Sequence, residues 1–423
     1  MNAHPEQSEI SGNSPARTFL FLWWMFVLAF SLDYKGPEGG SLGNIGLIGL
    51  GLGVGLALLF QLGRHRLTRG EWMWWAYMAG TLLTASIGDV PWARYLRVAF
   101  PFALCGLTLS VVRGWMEEGL DPERLLFPLL TAGVVSVVWT FAHSMWSTGI
   151  PLAFQRYRIL SPAVPFLIGY AGFLSLKEKR PAWNELIAVG AAFCAALLAT
   201  TRYVILSAAC AAAGAVVWSR SMSGREILDR FRTSAFRMSA ALMMGAAVAW
   251  TLWPGFVNGW MGRFKLAGPG GDVTAVLRIA EYSGQMKFLF RHPKALMAGA
   301  GLGREFTLDP AWMKDVPTQM YRETDGWAFG HGIWVYSLFT GGIFFGFVIP
   351  ILFIAVLWVG LGKSFRGESP SAALGFLVLL SYFGMSFVTH PFVYRFSAVI
   401  IGTAAGLCLW APGRGPGAAR GPL

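Results

Sequence analysis

Charge is scarce in this chain. Lys, Arg, Asp and Glu supply 13% of its 423 residues while 55% are hydrophobic, and a soluble domain carries about 25% charged residues. That shortage excludes an ordinary soluble fold. Also missing are segments of about ten residues with alternating hydrophobicity, which a membrane β-barrel requires. Cysteine is rare: Cys105, Cys194, Cys210 and Cys408 all fall in apolar runs, with no CxxC spacing and no neighbouring His. They read as small buried hydrophobes rather than disulfide or metal sites. No pair of carboxylates and no His, Asp and Glu set has metal-ligand spacing, which argues against a metal-assisted mechanism. A basic face is lacking as well. The formal charge is +12, but it is spread over loops and span ends, so anionic lipid or phosphate partners account for it and nucleic acid does not.

What is present is a series of apolar runs. Within lipid every backbone N–H and C=O must be satisfied inside its own segment, so each crossing is a helix of ~20 mostly apolar residues. Residues 1–16 form a short polar tail. The run from Thr18 to Leu32 lacks a basic start and a small-x-small cleavage site, and reads as a retained anchor. Further runs fall at about 43–62, 71–87, 94–112, 125–143, 159–176, 183–200, 203–218 and 236–253, then 332–361, 372–389 and 396–411. The pattern predicts an all-α integral membrane protein of about 12 transmembrane helices. Its segments are a tail over 1–16, spans over 17–253, one large loop over 254–331, spans over 332–411 and a tail over 412–423.

Orientation follows from charge. With the N-terminus inside, 18 Lys and Arg fall on the cytoplasmic side and seven on the opposite short loops and span ends, leaving aside nine in the long loop. The loop is therefore expected to face a periplasm-like space, with both termini cytoplasmic. Inside it, DVTAVLRIAEYSGQMKFLF from Asp272 has apolar residues at helical spacing, and predicts a helix along the interface. HPKALMAGAGLGREF, with Pro293 and clustered glycines, reads as a turn. Gly299, Gly301 and Gly303 follow no predicted strand, so they are not a nucleotide-binding turn, and no cofactor is expected. The glycines at 46, 49, 51, 53 and 55 form a small-residue stripe suited to a close helix contact.

Arg202, in LLATTRYVILS, sits where one span ends and the next begins. It either lines a wet cavity or snorkels to the headgroups. Arg278 lies on the predicted loop helix, with Thr274 and Tyr282 on its face and Glu281 in reach. It either pairs with Glu281 or turns its planar fork to a phosphate; two guanidinium groups on one cavity suit a diphosphate. His331, at the mouth of the next span, is the best-placed base, because a neutral imidazole accepts a proton near neutral pH; the alternative is a structural histidine. His292, His143 and His390 have similar placements and less support. Asp325 and Glu323 either orient His331 or solvate the loop. Arg156 and Arg158, in PLAFQRYRILSP, either widen a phosphate or anionic-glycan site or contact lipid headgroups.

Three stretches, TTRYVILS, VLRIAEYSGQMKFLFRHPKALMAGAGLGREF and GHGIWVYSLFTGGIFFG, resemble landmarks of the O-antigen ligase and polymerase superfamily, and of its O-antigen ligases in particular. These are an arginine after a mid-chain span, an arginine followed by "hPl.G.G.G" in the large loop, and a histidine opening the next span before a "tGg.g" turn. The resemblance implies an inverting, metal-independent glycosyltransferase of the bacterial inner membrane with its site facing the periplasm. The implied donor is a glycan on undecaprenyl diphosphate, and the implied acceptor is a sugar hydroxyl of lipid A–core. By position, Arg202 and Arg278 would hold the diphosphate and His331 would take the hydroxyl proton, with Arg156, Arg158 and Tyr282 as accessories. The chain departs from the common pattern at Gly332, where many relatives have Asn. A polymerase of repeat units or a ligase acting on protein would use the same donor. A transporter is the reading from another class; it expects matching halves and midplane charges, and neither is visible.

Overall fold

A computed structural model describes residues 15–32, 42–61, 67–148, 160–177, 181–199, 202–222, 227, 251, 273–313 and 326–410. The helices before the long loop are α1 (Pro15–Ser31), α2 (Leu42–Gln61), α3 (Arg69–Ile87), α4 (Trp92–Glu117), α5 (Pro122–Thr148), α6 (Val164–Leu174), α7 (Trp183–Ala199) and α8 (Arg202–Ser219). The loop contributes α9 (Val273–Arg291), α10 (Pro293–Ala298) and α11 (Pro310–Met313), and α12 (Ile333–Phe345), α13 (Val348–Phe365), α14 (Pro370–Ser386) and α15 (Arg395–Leu409) follow. Among the described residues no strand forms; a single antiparallel bridge joins Phe306 and Trp327.

Three helices, Trp92–Glu117, Pro122–Ser144 and Val348–Phe365, are long and apolar enough to cross a membrane, and several shorter apolar helices pack with them. Large apolar side chains such as Phe60, Ile87, Trp183 and Trp358 stand exposed on the outside of the bundle. Such surfaces are consistent with a membrane protein, since soluble monomers seldom leave so much apolar surface uncovered.

The core centres on α14 and α15. Small residues bring backbones together there: a Cβ at Gly402 of α15 would lie 2.5 Å from the Cys105 carbonyl oxygen of α4, and one at Gly384 of α14 would lie 2.6 Å from that of Leu206 in α8. In the stripe on α2, Gly51 meets Phe30 and Gly55 meets Phe26 and Leu107, while Gly46, Gly49 and Gly53 face open space. One end of the bundle is tied by buried charge. Glu71 completes a capping box with Thr68 at the start of α3, and it accepts from Ser110 (2.7 Å) and Arg113 (2.7 Å) of α4. Arg113 also reaches Glu117 at 2.6 Å. Paired in this way, the charges are tolerated where single ones would not be.

Two sequence expectations change. The run at 332–361 is not one continuous helix: Gly342, within α12, takes a left-handed backbone (φ 62°) that kinks it, and α13 begins separately at Val348. The break strands helix carbonyls, and the glycine loop supplies their donors. Ala300 N–H bonds to Phe339 O (2.9 Å) and Gly301 N–H to Thr340 O (3.0 Å). The stretch after His292 is also more than a turn, since Pro293 opens the six-residue α10 before the glycines begin. The span expected at 236–253 falls outside the described residues but for Thr251.

Gly301 offers a direct test of this wedge. It has φ +82°, and a Cβ there would lie 2.5 Å from the main-chain nitrogen of Ala85 in α3, whereas Gly53 has open space. Gly301→Ala should lower the thermal midpoint of the purified protein, by an amount in keeping with overpacking costs of ~1–3 kcal/mol. Gly53→Ala should leave it unchanged; equal midpoints for the two variants would contradict the wedge.

Candidate functional site

The site is built on α9. Leu277, Ala280, Glu281, Gln285 and Leu289 are buried at helical spacing, so this helix lays one face on the bundle. Positions 278, 281, 282 and 285 are separated by three, four and seven residues, which places Arg278, Glu281, Tyr282 and Gln285 along one stripe. The segment from 306 to 309 braces this helix from outside. Asp309 accepts from Lys287 (2.6 Å), from the Ser283 hydroxyl and from Ala311 N–H (3.2 Å), and its own N–H bonds to Ala280 O (2.9 Å).

Glu281 is the centre. Its side chain is 1% exposed. His331 N–H donates to Oε1 at 2.5 Å, and His331 Nδ1 lies 2.8 Å from Oε2. Arg278 Nη1 reaches Oε2 at 3.3 Å and Gln285 Nε2 reaches Oε1 at 3.4 Å. A carboxylate accepts and does not donate, so Nδ1 carries the shared hydrogen and the neutral ring presents Nε2 as its acceptor. The approach depends on small neighbours. A Cβ at Gly330 would lie 2.7 Å from Gln285 Nε2, and one at Gly332 would lie 2.3 Å from the Tyr282 hydroxyl. Gly332 therefore makes room for Tyr282 beside His331.

Arg278 has capacity to spare. Its buried Nε has no partner among the described residues, and its one carboxylate contact is long for an ion pair. The guanidinium thus keeps donor capacity beyond its contact with Glu281. Among the described residues nothing hydrogen-bonds the Tyr282 hydroxyl. Burial, and after it the Glu281 charge, pushes the phenol upward, so it remains an O–H donor.

Arg202 opens α8. Its backbone stands at the same end of the bundle as His331. Leu206, one turn on, touches Gly384 of α14, and Ser386 of α14 accepts from the Trp334 indole (3.2 Å) in the first turn of α12. Arg156, Arg158, Glu323 and Asp325 lie outside the described residues. His292 is occupied locally, with Nδ1 2.8 Å from Phe288 O and its ring stacked on Phe288. His143 lies beside Trp139 in α5. His390 is fully buried among Phe102, Phe329, Tyr336 and Phe392, where Nδ1 accepts from Phe392 N–H at 3.1 Å. The residue sequence reasoning missed in this role is Glu281, read only as a partner of Arg278. Its spacing from Arg278 was visible; its meeting with a histidine 50 positions away was not. Among the described residues no three His, Cys, Asp or Glu gather as a metal site. No protein-family model matches the chain, and no curated protein matches it either.

Asp309 yields a pH test. The Lys287 ammonium first, and the Ser283 hydroxyl next, hold its carboxyl below the usual range. A depressed carboxyl stabilises the fold above its unfolded value, near ~3.9, and loses that contribution as pH falls through the folded one. Asp309→Asn should therefore make α9 easier to cleave by protease at neutral pH, and the gap from wild type should shrink under acid conditions below about pH 3.9. A gap that grows with acidity would contradict this bracing role.

Proposed function

We propose that the chain is a multi-pass glycosyltransferase of O-antigen ligase type. It transfers a glycan from undecaprenyl diphosphate to lipid A–core with inversion and without a metal. In this reading it lies in the bacterial inner membrane with about 12 spans, cytoplasmic termini, and the loop over 254–331 in the periplasm. The observation that carries it is the set on α9 and the following loop: His331 held by both oxygens of Glu281, with the underused guanidinium of Arg278 on the same carboxylate, at one end of an apolar bundle.

The chemistry is a single displacement. The acceptor hydroxyl oxygen attacks the anomeric carbon from the face opposite the diphosphate. The new C–O bond forms as the old one breaks, and the diphosphate departs with the electron pair. The hydroxyl proton passes to Nε2 of His331, and Glu281 stabilises the resulting imidazolium. Diphosphate is a good leaving group, so most of the help comes from cations placed where charge develops, at ~3–4 kcal/mol per donor. Arg278 and Arg202 take that role. A positioned base adds a factor of ~10²–10⁴. The prenyl tail reaches the site from the bilayer, which gives a reason for building it on membrane helices.

The test is transfer by the purified protein from a synthetic undecaprenyl diphosphate glycan to lipid A–core. His331→Ala should lower turnover by ~10²–10⁴ while insertion and donor binding persist; near wild-type turnover would reject the base role. Arg278→Ala should weaken donor binding and turnover together, and unchanged binding of undecaprenyl diphosphate would remove it from the phosphate site. Lengthened donor-linked glycan without any lipid A–core product would identify a polymerase, and flux without product a transporter.

A further inference from the structure

A cavity opens near this site. It measures about 370 Å³ and is lined by Asp89, Val90, Pro91, Arg94, Arg304 and Glu305. Its two walls are far apart in sequence: the turn between α3 and α4, and the segment that follows the glycine wedge. Arg304 holds them together, since Nη1 donates to the Gly88 carbonyl while the guanidinium lies 5.7 Å over the Phe288 ring. Across the opening Arg94 pairs with Glu305 at 2.8 Å, both partly exposed. Asp89 has a left-handed backbone (φ 53°), uncommon for a residue with a side chain. Among the described residues nothing hydrogen-bonds its carboxylate.

The lining chooses its ligand. Two guanidinium groups and two carboxylates leave no net charge, so an anion meets as much repulsion as attraction and so does a cation. A polyol satisfies both kinds of wall, because each hydroxyl donates to a carboxylate and accepts from a guanidinium. The volume lies at the small end of ligand pockets, roughly 300–1,000 Å³, and admits a short saccharide but not a lipid. Its position relates it to the base. A Cβ at Gly326 would lie 2.8 Å from Glu305, Trp327 pairs with Phe306, and the Trp327 ring lies 5.8 Å from that of His331. A chain of contacts through Glu305, Gly326 and Trp327 thus runs from the cavity wall to the imidazole.

We infer that this cavity is a subsite for uncharged sugar rings next to the one being joined, belonging to the acceptor or to the donor glycan. The inference rests on the transferase reading and adds its saccharide contact. The test uses Asp89→Gly, which removes the carboxylate but suits the left-handed backbone, so the fold should keep its thermal midpoint. A second variant, Arg94→Gln, removes a guanidinium from the same wall. Two measurements are made: KM for each substrate in the transfer assay, and saturation-transfer NMR with lipid-free core oligosaccharide and lipid-free donor glycan. Both variants should raise one KM about ten- to a hundredfold, in keeping with the loss of a charged hydrogen bond, with little change in kcat and loss of the matching NMR signal. A rise in acceptor KM assigns the cavity to the acceptor, and a rise in donor KM to the donor glycan. Wild-type transfer with both KM values and both signals unchanged in the variants would overturn the subsite and leave the transferase standing. No transfer by wild type, with a saccharide signal that Asp89→Gly abolishes, would overturn the transferase and leave the subsite.

Discussion

A carboxylate withdrawn almost wholly from water costs several kcal/mol unless hydrogen bonds and opposite charge replace the solvent. Glu281 is such a group, and much of the site's geometry can be traced to how it is satisfied. The main chain and ring of His331 bind one oxygen each, and Arg278 and Gln285 complete the set. Leaving a buried charged acceptor without its hydrogen bonds costs ~1–3 kcal/mol or more, so the segment carrying His331 is held against α9 by the same bonds that fix its ring. A glycine on either side of His331 lets the backbone come that close. Stability and orientation of the histidine are thus one property, set by one carboxylate.

The break in the apolar path after His331 has a comparable logic. A buried carbonyl stranded by a helix break needs a donor, and before Gly342 of α12 the backbone of the glycine loop supplies it. The loop that carries α9 is therefore stitched to the helix that His331 precedes at two levels: at Glu281, and deeper at Phe339 and Thr340.

Much of this was legible in residue pattern. The apolar runs mark α2, α3, α4, α5, α7, α8, α14 and α15 closely, because a helix that is apolar along most of its length leaves a long signature in hydropathy. The period of Val276, Leu277, Ala280 and Leu289 marks α9. The break at Gly342 was not readable, since hydropathy cannot tell one long helix from two halves, and what fixes the break is a backbone loop from far upstream. Asp325 and Glu323 drew attention as orienting groups because they are near His331 in sequence. The carboxylate that meets it is on another helix, and only the fold brings α9 and the 326–332 segment together.

Nitrogen NMR of His331, in protein labelled at histidine and observed in the neutral form of the ring, tests the central arrangement most directly. Hydrogen bonding of Nδ1 to Glu281 requires the proton on Nδ1 and a bare Nε2, and Glu281→Gln should disturb that preference. A wild-type ring protonated on Nε2, or one whose tautomer ignores the substitution, would mean that Glu281 does not set the histidine and that the account built on it is wrong.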